Sequence, residues 1–97
     1  MTKELVADTP GTGDWVEVVH SEDGGYEWEF VGIWYSPSAR RFFGYADAGC
    51  SCNWWQDGFS IANCEDGNKQ WAIQFAKDST DPDAEQQVRA FNTKTLS

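Results

Sequence analysis

Cys50, Cys52, Cys64 and His20 are the residues of this chain best equipped for chemistry. Together they carry the donor atoms of a Cys₃His zinc site. Structural zinc is ordinarily held by Cys-x₂₋₄-Cys knuckles, whose spacing lets two thiolates reach one tetrahedral ion. Cys50-Ser51-Cys52 leaves only one residue between the thiols, and no second knuckle follows. The pattern is therefore a weak zinc signal, and two small, partly buried thiols shaping a tight loop account for it better. A Cys50–Cys52 disulfide would close a strained ring. The same atoms could form a nucleophilic pair, Cys50 or Cys52 with His20 as its base, but a single histidine at a strand end is more often simply solvated. No Gly-x-Gly-x-x-Gly, Walker loop or His-Glu-x-x-His is present. Zinc binding and Cys/His hydrolase-like catalysis stand as alternatives, and the expected reading is a protein that is not an enzyme and needs no cofactor.

Two other groups suit binding better. Trp54 and Trp55 are adjacent, so in extended chain their side chains point oppositely: either one fills the core while the other faces outward, or both pack, one on the sheet and one on a helix. An outward tryptophan beside Asp57 is a good interface anchor, since aromatic residues dominate interface energetics. The second group is acidic. Glu17, Glu22, Asp23, Glu27 and Glu29 lie in a short stretch, and an antiparallel pairing of their strands would align Glu17 with Glu27 and Glu29 in one negative end. Like charges across strands cost stability. Solvation alone explains many such faces; the sharper reading is a phosphate-like surface presented to a basic protein.

The chain has 97 residues and a net charge of −9, from 16 acids and 7 bases. That length suits one domain. Residues 1–31 carry eight of the acids against Lys3 alone, so most of the charge resides there. Direct contact with DNA or RNA is disfavoured, because counterion release needs cations. An anionic membrane would also repel the chain. No apolar run approaches the ~20 residues of a spanning helix, and Met1–Asp8 does not read as a signal peptide. With three cysteines, which cannot all pair within one chain, a cytoplasmic location is expected.

The elements that would position these residues follow from periodicity. Residues 1–13 read as a flexible leader and 14–97 as one domain. Trp15–His20 is β-branched and aromatic, hence a strand, with a turn at Ser21–Gly25. Tyr26–Tyr35 alternates cleanly in its first half and is apolar on both faces in its second, which places that half centrally in a sheet covered on both sides. Ser36–Ala39 turns the chain into a third strand, Arg41–Ala46. Asp47–Gly58 has no sustained period and reads as an ordered loop. Residues 59–68 allow a short fourth strand before a turn at Asp66-Gly67. Over Lys69–Lys77 the pairs Trp71/Phe75 and Ala72/Ala76 favour a helix, although Trp71, Ile73 and Phe75 also alternate as in a strand. Asp81-Pro82-Asp83 opens a second helix running to about Asn92. Fifteen aromatic residues supply the core, and leucine is nearly absent, which argues against a helical bundle. The fold class is α+β: a small antiparallel meander of three to four strands followed by one or two C-terminal helices packed on one face.

The string from Tyr45 to Gly58, YADAGCSCNWWQDG, resembles a signature of small proteins encoded by actinobacterial phages. In these an aromatic strand precedes an "AxDAGCSC" loop and helical sequence follows. The likeness spans about residues 26–92 and is specific only in the loop. It implies no catalytic residue. It does imply a phage setting, in which small acidic proteins often act on host proteins. The expected function is therefore binding to, and inhibition of, a host protein through an acidic, nucleic-acid-mimicking and aromatic surface. A homo-oligomeric or virion component is a further alternative.

Overall fold

The computed structural model describes residues 13–24, 27–50, 59–79 and 81–92, with Cys50 by its backbone alone. Four strands form one antiparallel sheet in chain order: β1 (Val16–Gly24), β2 (Glu27–Ser36), β3 (Arg41–Cys50) and β4 (Glu65–Gly67). Helices α1 (Lys69–Lys77) and α2 (Ala84–Ala90) follow, and a single 3₁₀ turn (Ile61–Asn63) precedes β4. This is the expected α+β meander with two helices on one face.

β2 is the central strand. It pairs along its length with β1 on one side and β3 on the other, so its backbone is satisfied and it can be buried on both faces. Only Glu27 and Glu29 of its ten residues are exposed. Val31, Ile33 and Tyr35 face the helices, where Val19, Phe42, Ala72, Ala76, Ala84 and Val88 complete a core. Trp28, Phe30 and Trp34 face the other way and pack with Tyr45, Trp15, Phe59 and Cys64. Rings there meet at close range: Trp15 stacks on Phe43 with centroids 4.6 Å apart, and Phe59 meets Tyr45 edge-on at 5.4 Å. Such pairs contribute about 0.5–1.5 kcal/mol each beyond the area they bury.

α1 resolves the ambiguity of residues 69–77 in favour of helix. The Asn68 side chain accepts from the Trp71 N–H at 2.9 Å and caps its first turn. Ala72 and Ala76 are buried beneath it, and Trp71 lies beside Phe75. The sheet makes room with glycines. A Cβ on Gly67 would stand 2.6–2.7 Å from Cγ and Cβ of Trp71, and one on Gly44 would stand 2.8 Å from the Phe75 ring. α2 is shorter than the sequence indicates. Asp81 Oδ1 accepts from the Asp83 N–H and the Asp81 carbonyl from Ala84, so Pro82-Asp83 forms a turn and the helix begins two residues later, at Ala84. Lys69 Nζ then donates to the carbonyls of Arg89 (3.1 Å) and Phe91 (2.9 Å), which clamps the end of α2 to the start of α1.

Three strand boundaries also differ from the sequence reading. Ser21–Gly24 is strand and not turn, because the ladder continues through Ser21↔Val31 to Gly24↔Trp28. Asp47–Cys50 likewise extends β3, paired with Phe30 down to Glu27, so the first part of the expected 47–58 loop is sheet. Asp66-Gly67 lies within β4 rather than in a turn, since both residues pair with β3. The remainder of that loop, 51–58, lies outside the described residues, as do 1–12 of the expected leader.

A polar latch closes the far end of the sheet. The Asp14 carboxylate accepts from Ser36 Oγ (3.2 Å) and from the Ser38 N–H (2.8 Å), tying the approach to β1 onto the β2–β3 turn. The Ser38 hydrogen bonds hold the Asp14 carboxyl below its ordinary value of 3.8. A depressed carboxyl stabilises the fold above its unfolded pKa, and that contribution disappears as pH falls through the folded value. Asp14→Asn is therefore expected to flatten the pH dependence of stability below about pH 4, measured by urea denaturation across the acid range. Gly67→Ala is expected to lose about 1–3 kcal/mol by overpacking against Trp71. Gly13→Ala has nothing within 4 Å of the new methyl and is expected to stay within about 0.5 kcal/mol of the parent.

Candidate binding cleft

The register of β1 decides where the acids go. Glu17 pairs with Trp34 and Val19 with Ile33, so Val18 is an extra residue, a β-bulge. One inserted residue reverses the facing of everything on one side of it relative to the other. Glu17 consequently shares the aromatic face with His20 and Glu22, while Asp23 shares the helix face with Glu29. The expected alignment of Glu17 with Glu27 and Glu29 does not occur. Glu17 sits five strand positions from Glu29, roughly 17 Å along the sheet.

The aromatic-face acids are occupied. His20 Nε2 lies 3.0 Å from Glu22 and Nδ1 lies 3.6 Å from Glu17, with its ring edge-on to Phe30. The bulge makes this possible by placing Glu17 on the side of His20. On the same face, but beyond β3, lies Cys64. Its thiol donates to the Ser60 carbonyl at 3.3 Å, and burial, with the nearby Asp66 charge, pushes it up to about 12. Burial likewise raises the Tyr45 hydroxyl to about 12, aided by its 2.9 Å hydrogen bond to Asp47. His20 on β1 and Cys64 beside β4 stand about three strand spacings apart, roughly 14 Å, so the sheet does not bring this pair onto one metal. Among the described residues no group of three metal-type side chains gathers. Cys52, Trp54, Trp55, Asp57 and the Cys50 side chain lie outside the described residues.

The helix-face acids behave differently. Asp23 stands directly opposite Glu29, a like-charge pair across the ladder. With Glu27, Trp28, Ala48 and Gly49 they line a cleft of about 510 Å³ at the open end of the sheet. A second hollow of about 380 Å³ adjoins it through Glu29 and Ala48 and continues past Val31 and Ala46 to Asp78 and Ser79 at the end of α1. A third, about 240 Å³, runs on beside Glu65, Trp71 and Phe75. No basic residue lines any of the three among the described residues. The ion pairs are elsewhere: Arg41–Asp66 and Arg89–Glu85 (2.8 Å), besides the His20 contacts. Carboxylates above a floor of alanine and valine suit a cation on an aliphatic stem, which is the anatomy of lysine and arginine.

Asp47, Glu65 and Asp78 belong to this region and were missed from sequence. Asp47 was legible in principle, because the period-2 pattern of β3 runs on through Asp47 once Ala46–Gly49 is taken as strand. Asp78 required knowing that α1 ends beside Ala46, which no local pattern records.

Fold and cleft define a small α+β domain, a four-stranded meander backed by two helices, with an acidic hollow where the helices stop. Residues 13–94 match the model of a domain of unknown function, DUF7574, and the chain belongs to that family. No curated protein and no solved structure matches it. No helix among the described residues is long and apolar enough to cross a membrane.

With its thiol pushed up to about 12, Cys64 is overwhelmingly protonated near neutrality. In a Cys50→Ser/Cys52→Ser background it is expected to resist a thiol-specific reagent at pH 7.5 in the native state and to react once urea unfolds the chain. Native-state labelling at the rate of a free thiol would contradict the burial described.

Proposed function

We propose that this domain is a small phage-type protein, not an enzyme, that binds a host protein through its acidic cleft and inhibits it by occupying a basic, nucleic-acid-binding surface. The observation that carries the reading is the set Asp23, Glu27 and Glu29: two acids directly opposed, a third beside them, and no cation paired to any of them among the described residues. A like-charge pair across a ladder is destabilising. A basic partner relieves that repulsion on docking, and the net charge of −9 steers its approach. Glu17 and Glu22, held by His20, contribute long-range field rather than direct contact. Trp54 or Trp55 beside Asp57 supplies the desolvated anchor in this proposal.

The test is a comparison in actinobacterial lysate between the parent chain, Glu27→Lys/Glu29→Lys, and Trp54→Ala/Trp55→Ala. Retained proteins are identified by mass spectrometry, and the one that the charge-reversed variant loses is purified. That protein is expected to bind nucleic acid, to lose that nucleic acid when the parent chain is added, and to release the parent chain steeply as salt rises through a few tenths molar. A partner whose affinity is unchanged by the two lysines would overturn the reading. The tryptophan variant is expected to weaken binding by raising the off-rate while leaving the salt dependence in place.

A further inference from the structure

β3 is ten residues long, but β4 pairs with only Phe42, Phe43 and Gly44. On the side that β4 leaves empty, no strand accompanies Ala46–Gly49 among the described residues. Backbone groups of a strand alternate in direction, so part of this run presents N–H and C=O groups along an edge that is open among the described residues. Open edges invite further strands, and proteins guard them with charge. Here the guard is acidic. Asp47 Oδ1 accepts from the Ala48 N–H at 2.8 Å, and Glu29, Glu65 and Asp78 line the hollows beside the run. Ala46 and Ala48 are exposed and small, leaving the side toward the helices uncovered at the end of α1.

This arrangement selects its occupant. A second copy of the chain carries −9 and would bring carboxylates against carboxylates. An extended segment bearing lysine or arginine meets opposite charge on both sides of the edge: Glu29, Glu65 and Asp78 toward the helices, Asp47 toward the aromatic face. A strand laid about 4.8 Å from β3 continues the line of β4 and enters the hollow that runs past Ala46. Its backbone supplies affinity and its alternating side chains supply specificity.

We infer that the partner contributes an extended, cationic segment that adds to the sheet as a β-strand along Ala46–Gly49, a docking mode that rests on the acidic-cleft reading above. The added strand replaces the Asp47 carboxylate at the Ala48 N–H and frees Asp47 to pair with a cation.

The probe is an eight-residue peptide of alternating lysine and valine, compared with the same sequence N-methylated at every residue, which keeps the charge and removes the donors. Binding to the full chain is followed by calorimetry, and amide exchange of residues 45–49 by NMR. The unmethylated peptide is expected to bind at least about tenfold more tightly, as loss of ladder hydrogen bonds dictates. It is also expected to slow amide exchange within 45–49, and Glu27→Lys/Glu29→Lys weakens it. If both peptides bind alike and exchange at 45–49 is unaffected, strand addition is overturned while the acidic-cleft reading stands. If neither peptide binds at low salt, both fall together.

Discussion

The rest of the structure depends on β2 being hydrogen-bonded on both edges. A strand paired along its length on each side has no backbone groups left to solvate, so burying both of its faces costs nothing in unmade hydrogen bonds. Each face then needs a cover. One is supplied by alanines of α1 and α2, thin residues that bring the helices down onto Val31 and Ile33. The other is supplied by aromatic rings, which are large enough for a few side chains to roof Trp28, Phe30 and Trp34. A leucine-poor chain of this length can therefore hold two cores, because rings bury more area per residue than aliphatic side chains.

The covers do not reach the whole sheet. α1 ends at Lys77, beside Ala46, and the strands run on past it. Beyond that line the helix face changes from Val31 to Glu29 and Glu27 on β2, from Val19 to Asp23 on β1, and from Phe42 to Ala48 on β3. Carboxylates and small residues are what an uncovered sheet end tolerates, and they are also what a cationic segment would seek. Stability and the proposed recognition ask for the same residues here. The feature that separates them is the opposition of Asp23 and Glu29, which solvation alone does not require.

Much of the scaffold was legible in the sequence. The alternation in Tyr26–Tyr35 located the central strand and the point where both faces become covered, and the double i, i+4 spacing in Lys69–Lys77 outweighed its competing alternation. The strand ends were not legible, for a physical reason. Ser21–Gly24 and Asp47–Cys50 have turn-like composition but are held by pairing with β2, a non-local interaction that overrides local preference. The site was legible as a list of acids and misleading as a geometry. Glu17 and Asp23 are an even number of residues apart and should share a face; the extra residue at Val18 puts them on opposite ones.

That bulge does more than relocate one charge. With Glu17 turned to the aromatic face, His20 reaches Glu17 and Glu22 together, and the histidine accounts for both. Without it, Glu17 would join the helix-face series, on the side of the sheet away from His20. The bulge therefore sorts the acids of the first two strands into a pair engaged by an imidazole and a trio with no counter-charge among the described residues. Net charge describes the sum of these groups, whereas recognition depends on the difference between them. A basic partner would displace His20 to use the first set, whereas it would displace no counter-charge among the described residues to use the second. In the binding mode proposed above, the free-energy cost of docking would thus be lower at Asp23, Glu27 and Glu29, which places the proposed contact at that end of the sheet rather than over the acidic N-terminal third as a whole.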